Sequence, residues 1–178
     1  VPNRELPLES ISILVRTGKY NEPKGKEGLA AMTGYLLSKG GTRSRSAEEL
    51  EERLAFLAAG LSSSVGDTSG SVGVNLLSKD LDEGLTMLRE VLTAPRFQKD
   101  RIDLYKTQQL QAMKQRIDDS RNIERRELIR LAYGDHFFRS QVTTKASIES
   151  ITDADLRGFH QAWFHPRNFV VAVSGDFD

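Results

Sequence analysis

Cysteine is absent from this 178-residue sequence, which excludes disulfide bonds and cysteine-ligated metal sites. No apolar run approaches the ~20 residues that a membrane-spanning helix needs, and no signal peptide is visible. Neither sign of charge dominates, because 25 basic residues balance 25 acidic ones. The sequence therefore offers no excess charge to attract nucleic acid or an anionic membrane surface.

The composition is that of one globular domain, with 38% hydrophobic and 28% charged residues, so we expect residues 1–178 to form a single domain. Alternating apolar residues predict strands, and apolar residues at helical spacing predict helices. Strands are predicted at 11–17, in a hairpin around 66–70 and at 168–178, and helices at 28–39, 46–59, 80–92, 98–117, 122–133 and 152–164. This order predicts an α+β fold, a mostly antiparallel sheet with helices packed on one face.

Helix ends are marked by capping residues. Ser46 with Glu49, and Thr152 with Asp155, match the capping-box pattern, and Asp80 is a candidate cap for the helix that follows it. The segment 134–147 is expected to be a loop.

Histidine and aspartate side chains, which often bind metals or act as acids and bases, are present, but their spacing does not fit such a site. His160 and His165 are five residues apart, so they do not share the helix face that a zinc pair requires. His136 lies in a predicted loop, and we interpret all three histidines as solvent-exposed or capping residues. The adjacent Asp118 and Asp119 are interpreted as the end of a helix.

Four arginines cluster in one predicted helix, which also contains Glu124 and Glu127. Glu127 can pair with Arg130 at spacing i,i+3, so we interpret this surface as a solvated helix face. No serine stands in the Gly-x-Ser-x-Gly turn of hydrolases. The arginines are Arg121, Arg125, Arg126 and Arg130.

The first predicted helix combines a regular apolar stripe with an unusual centre. Gly34 stands in its middle, where glycine costs about 1 kcal/mol relative to alanine. The preserved stripe predicts that one face is buried despite this weak helix former. The stripe consists of Leu29, Met32, Leu36 and Leu37.

Several stretches, taken in order, resemble the peptidase M16 family of insulinase-like zinc peptidases, mitochondrial processing peptidase and bacterial relatives. They are "PLESISILVRTG", "EPKGKEGLA", the Gly-Thr after the helix, "SAEELEERLAFLAAGLSSSVGDTSGSV", "LREVLTAPRF" and the tail from "GDHFF" to the end. The match covers essentially the whole chain. It implies the M16/LuxS-like metallohydrolase fold, with this chain as the first, N-terminal part of a longer protein.

Active members of that family carry His-x-x-Glu-His on this helix, directly after Gly-Leu-Ala. The resemblance places Ala31 at the first histidine, Gly34 at the catalytic glutamate and Tyr35 at the second histidine. The third ligand, a glutamate in a later helix, falls at about Ala112, beside Gln111. The resemblance therefore implies that the family's zinc is absent and that the chain alone is inactive.

The resemblance also implies a role and partners. Such a domain is expected to pair with a homologous M16 domain or subunit that keeps an intact zinc site, and together to form a chamber for a peptide substrate. The alternative is a purely structural or interaction subunit resembling the core proteins of respiratory complexes. We expect a soluble protein with no nucleic acid partner and no membrane span. The sequence leaves its compartment open among the bacterial periplasm, cell envelope and cytoplasm.

Overall fold

A computed structural model describes residues 6–115 and 120–176 of the chain. Four strands and seven α-helices are present in these ranges, and none of the helices described there is both long and apolar enough to cross a membrane. The strands are β1 (Leu8–Val15), β2 (Gly60–Val65), β3 (Gly70–Leu77) and β4 (Phe169–Gly175). The helices are α1 (Leu29–Lys39), α2 (Ala47–Phe56), α3 (Leu81–Thr93), α4 (Lys99–Gln115), α5 (Ser120–Tyr133), α6 (Lys145–Ser150) and α7 (Asp153–Trp163).

The strands form one antiparallel sheet in the order β2-β3-β1-β4. The central strand β1 fixes the register, since Ile13 lies between Val72 of β3 and Val171 of β4. Successive side chains of a strand point to opposite faces, so the alternation read from the sequence becomes a buried face and an exposed face. The predicted α+β class is confirmed.

The helices cover one face of this sheet. Its buried side chains come from alternate positions of β1 and β3, as in Ile11, Ile13 and Val74, which are at most 5% exposed. The opposite face is rich in small polar residues, among them Ser12, Ser62, Ser64 and Ser71. The hairpin predicted around 66–70 is confirmed as the β2–β3 pair.

Helix α1 lies at the centre of the core, and its predicted apolar stripe is confirmed. Met32, Leu36 and Leu37 are fully buried, and Leu29 is 2% exposed. The helix packs against β2 and α7.

Several predicted boundaries are wrong: β1 begins at Leu8 rather than at residue 11, α5 at Ser120 rather than at residue 122, and β4 ends at Gly175 rather than at residue 178. Two others differ for local reasons. Strand β1 ends at Val15 rather than at residue 17, because the backbone N–H of Thr17 turns back to donate to the Val15 carbonyl. Helix α2 ends at Phe56 rather than at residue 59, because Ala58 adopts a left-handed conformation with φ of 49°.

The capping predictions were right in two of three cases. Capping boxes at Ser46 and Thr152 start α2 and α7 as predicted. Asp80 precedes α3, but its side chain makes no capping hydrogen bond. The segment 134–147 is not entirely loop, because Thr144 forms a further capping box and starts the short helix α6.

Two further predictions concern the end of α4. The helix is described as far as Gln115, so its predicted extension to residue 117 lies outside the described residues. The same is true of the helix end predicted at Asp118 and Asp119.

The three histidines differ in exposure. His136 is exposed, whereas His165 is half-buried and lies 3.3 Å from the Asn168 side-chain amide. His160 is buried rather than exposed: its Nε2 lies 2.9 Å from the Leu92 carbonyl near the end of α3, within hydrogen-bonding distance. Burial, the largest cause, lowers the pKa of His160 below its usual value of 6.5.

His160 therefore makes stability depend on pH. The unfolded chain takes up the proton first, so the contribution of the neutral ring is complete above about pH 6.5 and is lost as pH falls below that value. We expect the urea midpoint to be lower at about pH 5 than at about pH 7, and the difference to shrink in His160→Gln. His136→Gln, at an exposed position, is the control. An undiminished pH dependence in His160→Gln would contradict this assignment.

Candidate functional site

The start of α1 is held by a carboxylate from the preceding loop. Glu22 Oε1 accepts hydrogen bonds from the backbone N–H groups of Gly28, at 3.0 Å, and Ala30, at 2.8 Å. These are among the donors that a helix leaves unsatisfied at its N-terminus. Gly28 precedes the helix with φ of 105°, a left-handed conformation that favours glycine.

The position of Glu22 disfavours its charged form, because the carboxylate is partly removed from water. Its second oxygen, Oε2, is buried without a hydrogen-bond partner among the described residues. Burial raises the pKa of Glu22, and the two backbone hydrogen bonds oppose that shift.

Ala31, which the resemblance assigns to the position of the first family histidine, is exposed and lines a small cavity of about 110 Å³. Around the cavity lie Lys19 and Glu22 from the preceding loop, and Val65 and Asp67 from the end of β2 and its turn. The methyl group of Ala31 contributes no ligand atom to this space.

Gly34, which the resemblance assigns to the position of the family glutamate, is buried against the backbone of β2. A Cβ atom on Gly34 would lie 2.3 Å from the Val65 nitrogen and 2.7 Å from the Ser64 carbonyl carbon. Atoms do not approach this closely without movement of the helix or the strand. Gly34 is therefore required by the close contact between α1 and β2.

The hydroxyl of Ser63 joins the same two elements. It donates to the Gly34 carbonyl at 2.5 Å and accepts from the Ser38 backbone N–H at 2.9 Å. These two groups are four residues apart, the spacing of a backbone hydrogen bond within an α-helix. A strand side chain thus bridges one step of the hydrogen-bond ladder of α1.

Tyr35, which the resemblance assigns to the position of the second family histidine, is half-buried and packs against α4. Its ring centroid lies 5.0 Å from that of Tyr105, with an angle of 40° between the rings. Burial, with smaller contributions from Glu22 and Tyr35, raises the pKa of Tyr105 to about 12, so its phenol is protonated at neutral pH. An aromatic contact links α1 to α4 here.

Ala112 and Gln111 are exposed on α4. Ala112 follows Tyr105 by seven residues, close to two helical turns, so the two residues share a face of the helix about 10 Å apart along its axis. The assignment of Ala112 to the third ligand position stays a prediction. Within residues 6–115 and 120–176, no group of three or more histidine, aspartate or glutamate side chains is arranged to hold a metal ion.

Three side chains important to this region were missed by sequence reasoning. Glu22 precedes its helix by seven residues, beyond the reach of a capping-box pattern. Ser63 is the middle residue of a run of three serines, and nothing in the sequence distinguishes it from the other two. Tyr105 falls at a buried position of α4, and its spacing of seven from Ala112 was the one available signal.

The Tyr35–Tyr105 contact is testable by a double-mutant cycle. We expect Tyr35→Ala and Tyr105→Ala each to lower the free energy of unfolding, and their effects to be non-additive by about 0.5–1.5 kcal/mol, the range for aromatic pairs. Urea denaturation of the single and double variants measures this coupling. Pairing Tyr35→Ala with Phe56→Ala, a side chain 77% exposed on α2, should give additive effects.

Comparison with known proteins identifies the family. The model of the insulinase family, peptidase family M16, matches residues 6–144. The chain belongs to this family. The matched region contains β1, α1, the β2–β3 hairpin and α4, and therefore the four motif positions Ala31, Gly34, Tyr35 and Ala112.

Some of the M16 relatives are named as proteases and one is named as a non-peptidase homologue. The chain is 26% identical over 175 residues to YmxG, a non-peptidase homologue from Helicobacter pylori. It is 24% identical over 170 residues to an uncharacterized zinc protease from Mycobacterium tuberculosis. These alignments cover 98% and 95% of this chain but 40% and 39% of the relatives, so the chain spans about two-fifths of the length of the relatives it matches.

Solved structures share the M16 fold. An inactive M16 peptidase domain from Pseudomonas fluorescens superposes with a TM-score of 0.91 at 23% identity, covering 100% of this chain and 43% of that one. The periplasmic protease PqqL of Escherichia coli gives a TM-score of 0.84 at 17% identity, covering 98% of this chain and 19% of that one.

Proposed function

We propose that this chain is a non-catalytic M16 domain that pairs with a zinc-bearing homologue and helps to form a chamber for peptide substrates. The packing of Gly34 carries this proposal. The resemblance assigns the family's catalytic glutamate to this position, and here the space beyond the Cα atom is occupied by the backbone of β2. Ala31 and Tyr35 supply a methyl group and a phenol, where a catalytic zinc needs about three protein ligands and an open position.

The sheet supports a role in holding peptides. Among the described strands, β2 lies at the edge of the sheet, and α1 packs behind it. An edge strand presents unpaired backbone N–H and C=O groups to which an extended peptide can add as a further strand.

The length of the relatives supports pairing. Each relative named above extends well beyond the region that this chain matches. We propose that a second M16 unit forms the other side of the chamber.

A reconstitution experiment tests the proposal. The full-length natural protein is mixed with an M16 homologue from the same organism that carries intact His-x-x-Glu-His, and complex formation is followed by size-exclusion chromatography beside hydrolysis of a fluorogenic peptide. The proposal predicts a complex whose rate exceeds that of the homologue alone. A complex with an unchanged rate would instead favour the purely structural role, and a protein that forms no complex would contradict both.

A further inference from the structure

A second, basic cavity adjoins the one beside Ala31. The two cavities share Lys19 and Thr143, and the second has a volume of about 290 Å³. Its described lining contains four cationic side chains and no carboxylate. We call these four residues the basic groove: Lys19, Arg125, Arg126 and Arg139.

The basic groove is assembled from three separate segments of the chain. Lys19 precedes α1 and donates to the backbone carbonyl of Gln141. Arg125 and Arg126 belong to α5, and Arg139 lies in the loop after it. The Glu127–Arg130 pair predicted for α5 is confirmed, and the groove adds cations from two other segments to this helix face.

The positive charge of the groove is only partly neutralised. Arg139 Nε lies 3.3 Å from Asp67 Oδ2. Glu127 lies between two arginines, 2.9 Å from Arg130 and 3.9 Å from Arg126.

Arg125 supplies the surplus of positive charge. It is exposed on α5, and no ion pair joins it to a carboxylate of the described residues. Its guanidinium can form paired hydrogen bonds with a carboxylate supplied by a ligand.

We propose that the basic groove binds an acidic segment of the peptide, with the adjoining residues of the peptide beside Ala31. This inference rests on the proposed function and specifies its substrate class. A peptide fits better than single-stranded nucleic acid, because no aromatic ring lines the cavity to stack on bases. It fits better than a single small anion, because the cations come from three segments and Lys19 also lines the neighbouring cavity beside Ala31.

Calorimetric titration of the full-length natural protein tests this proposal with two peptides of equal length. One carries a run of aspartate and glutamate, and the other carries asparagine and glutamine at the same positions. We expect the acidic peptide to bind more tightly and its affinity to fall as salt is raised, because salt screens partly exposed charges. Arg125→Gln with Arg126→Gln should weaken the acidic peptide about tenfold and leave the neutral one unchanged.

Two matched variants separate charge from structure. Arg125→Lys with Arg126→Lys keeps both charges and should retain most of the preference for the acidic peptide. Arg89→Gln removes an exposed arginine of α3, outside the groove, and should leave both affinities unchanged.

The other outcomes are informative as well. Equal binding of the two peptides would overturn the acidic preference and leave the proposed function intact. Binding of neither would overturn the preference together with the peptide-holding role. Displacement of the acidic peptide by equimolar inorganic phosphate or a single-stranded RNA oligonucleotide would overturn the assignment of the groove to peptides.

Discussion

Gly34→Ala is expected to destabilise the protein by about 1–3 kcal/mol, although alanine is the better helix former. The higher helix propensity of alanine alone would raise the free energy of unfolding by about 1 kcal/mol. Opposing it, the new Cβ would lie 2.3 Å from the Val65 nitrogen, and this neighbour is strand backbone rather than the mobile end of a side chain. The packing cost therefore outweighs the propensity gain. Gly34→Glu should cost more, since it also places a carboxylate in a buried contact.

Gly158 provides a matched control. It also lies within a helix, α7, but it is exposed, and a Cβ there would meet nothing within 4 Å. Gly158→Ala should therefore stabilise the protein by about the full propensity difference of 1 kcal/mol. Urea denaturation of the two alanine variants gives the comparison, and stabilisation by both would contradict the close contact between α1 and β2.

A second large effect concerns zinc. The unmodified chain is expected to bind no zinc at α1 and to hydrolyse no peptide, because Ala31 and Ala112 offer methyl groups and Tyr35 one weak oxygen. The triple variant Ala31→His, Tyr35→His and Ala112→Glu should bind one zinc ion per chain. Its two histidines are four residues apart on one helix face, and the glutamate stands at the predicted third-ligand position.

Even this zinc-binding variant should remain inactive. It lacks the general base at residue 34, a contribution typically worth about 10²- to 10⁴-fold in rate. The histidine double variant without Ala112→Glu is the control and should not retain zinc through desalting. Mass spectrometry of the native protein and a fluorogenic peptide assay give the two measurements. Stoichiometric zinc in the unmodified chain, or its chelator-sensitive turnover, would overturn the prediction.

Much of the fold follows from local patterns in the sequence. The stripe from Leu29 to Leu37 and the capping boxes at Ser46 and Thr152 are set by interactions within a few residues, and each was predictable. The end of α2 was not, because no local pattern marks Ala58 as the residue that turns left-handed.

The candidate site was only partly predictable for a related reason. Resemblance to the family placed Ala31, Gly34 and Tyr35 at the motif positions, but not the contacts that now occupy them. Those contacts come from residues distant in sequence: the β2 backbone meets Gly34, and Tyr105 meets Tyr35. The tertiary fold determines such pairs, and no periodicity in the sequence specifies them.

The Ser63 hydroxyl has a mechanical consequence. Because it bonds to both Gly34 and Ser38, a displacement of β2 would strain hydrogen bonds in the middle of α1. The strand and the helix that carries Ala31 and Tyr35 are thus joined by a side chain as well as by packing. We therefore expect β2 and α1 to move as one unit.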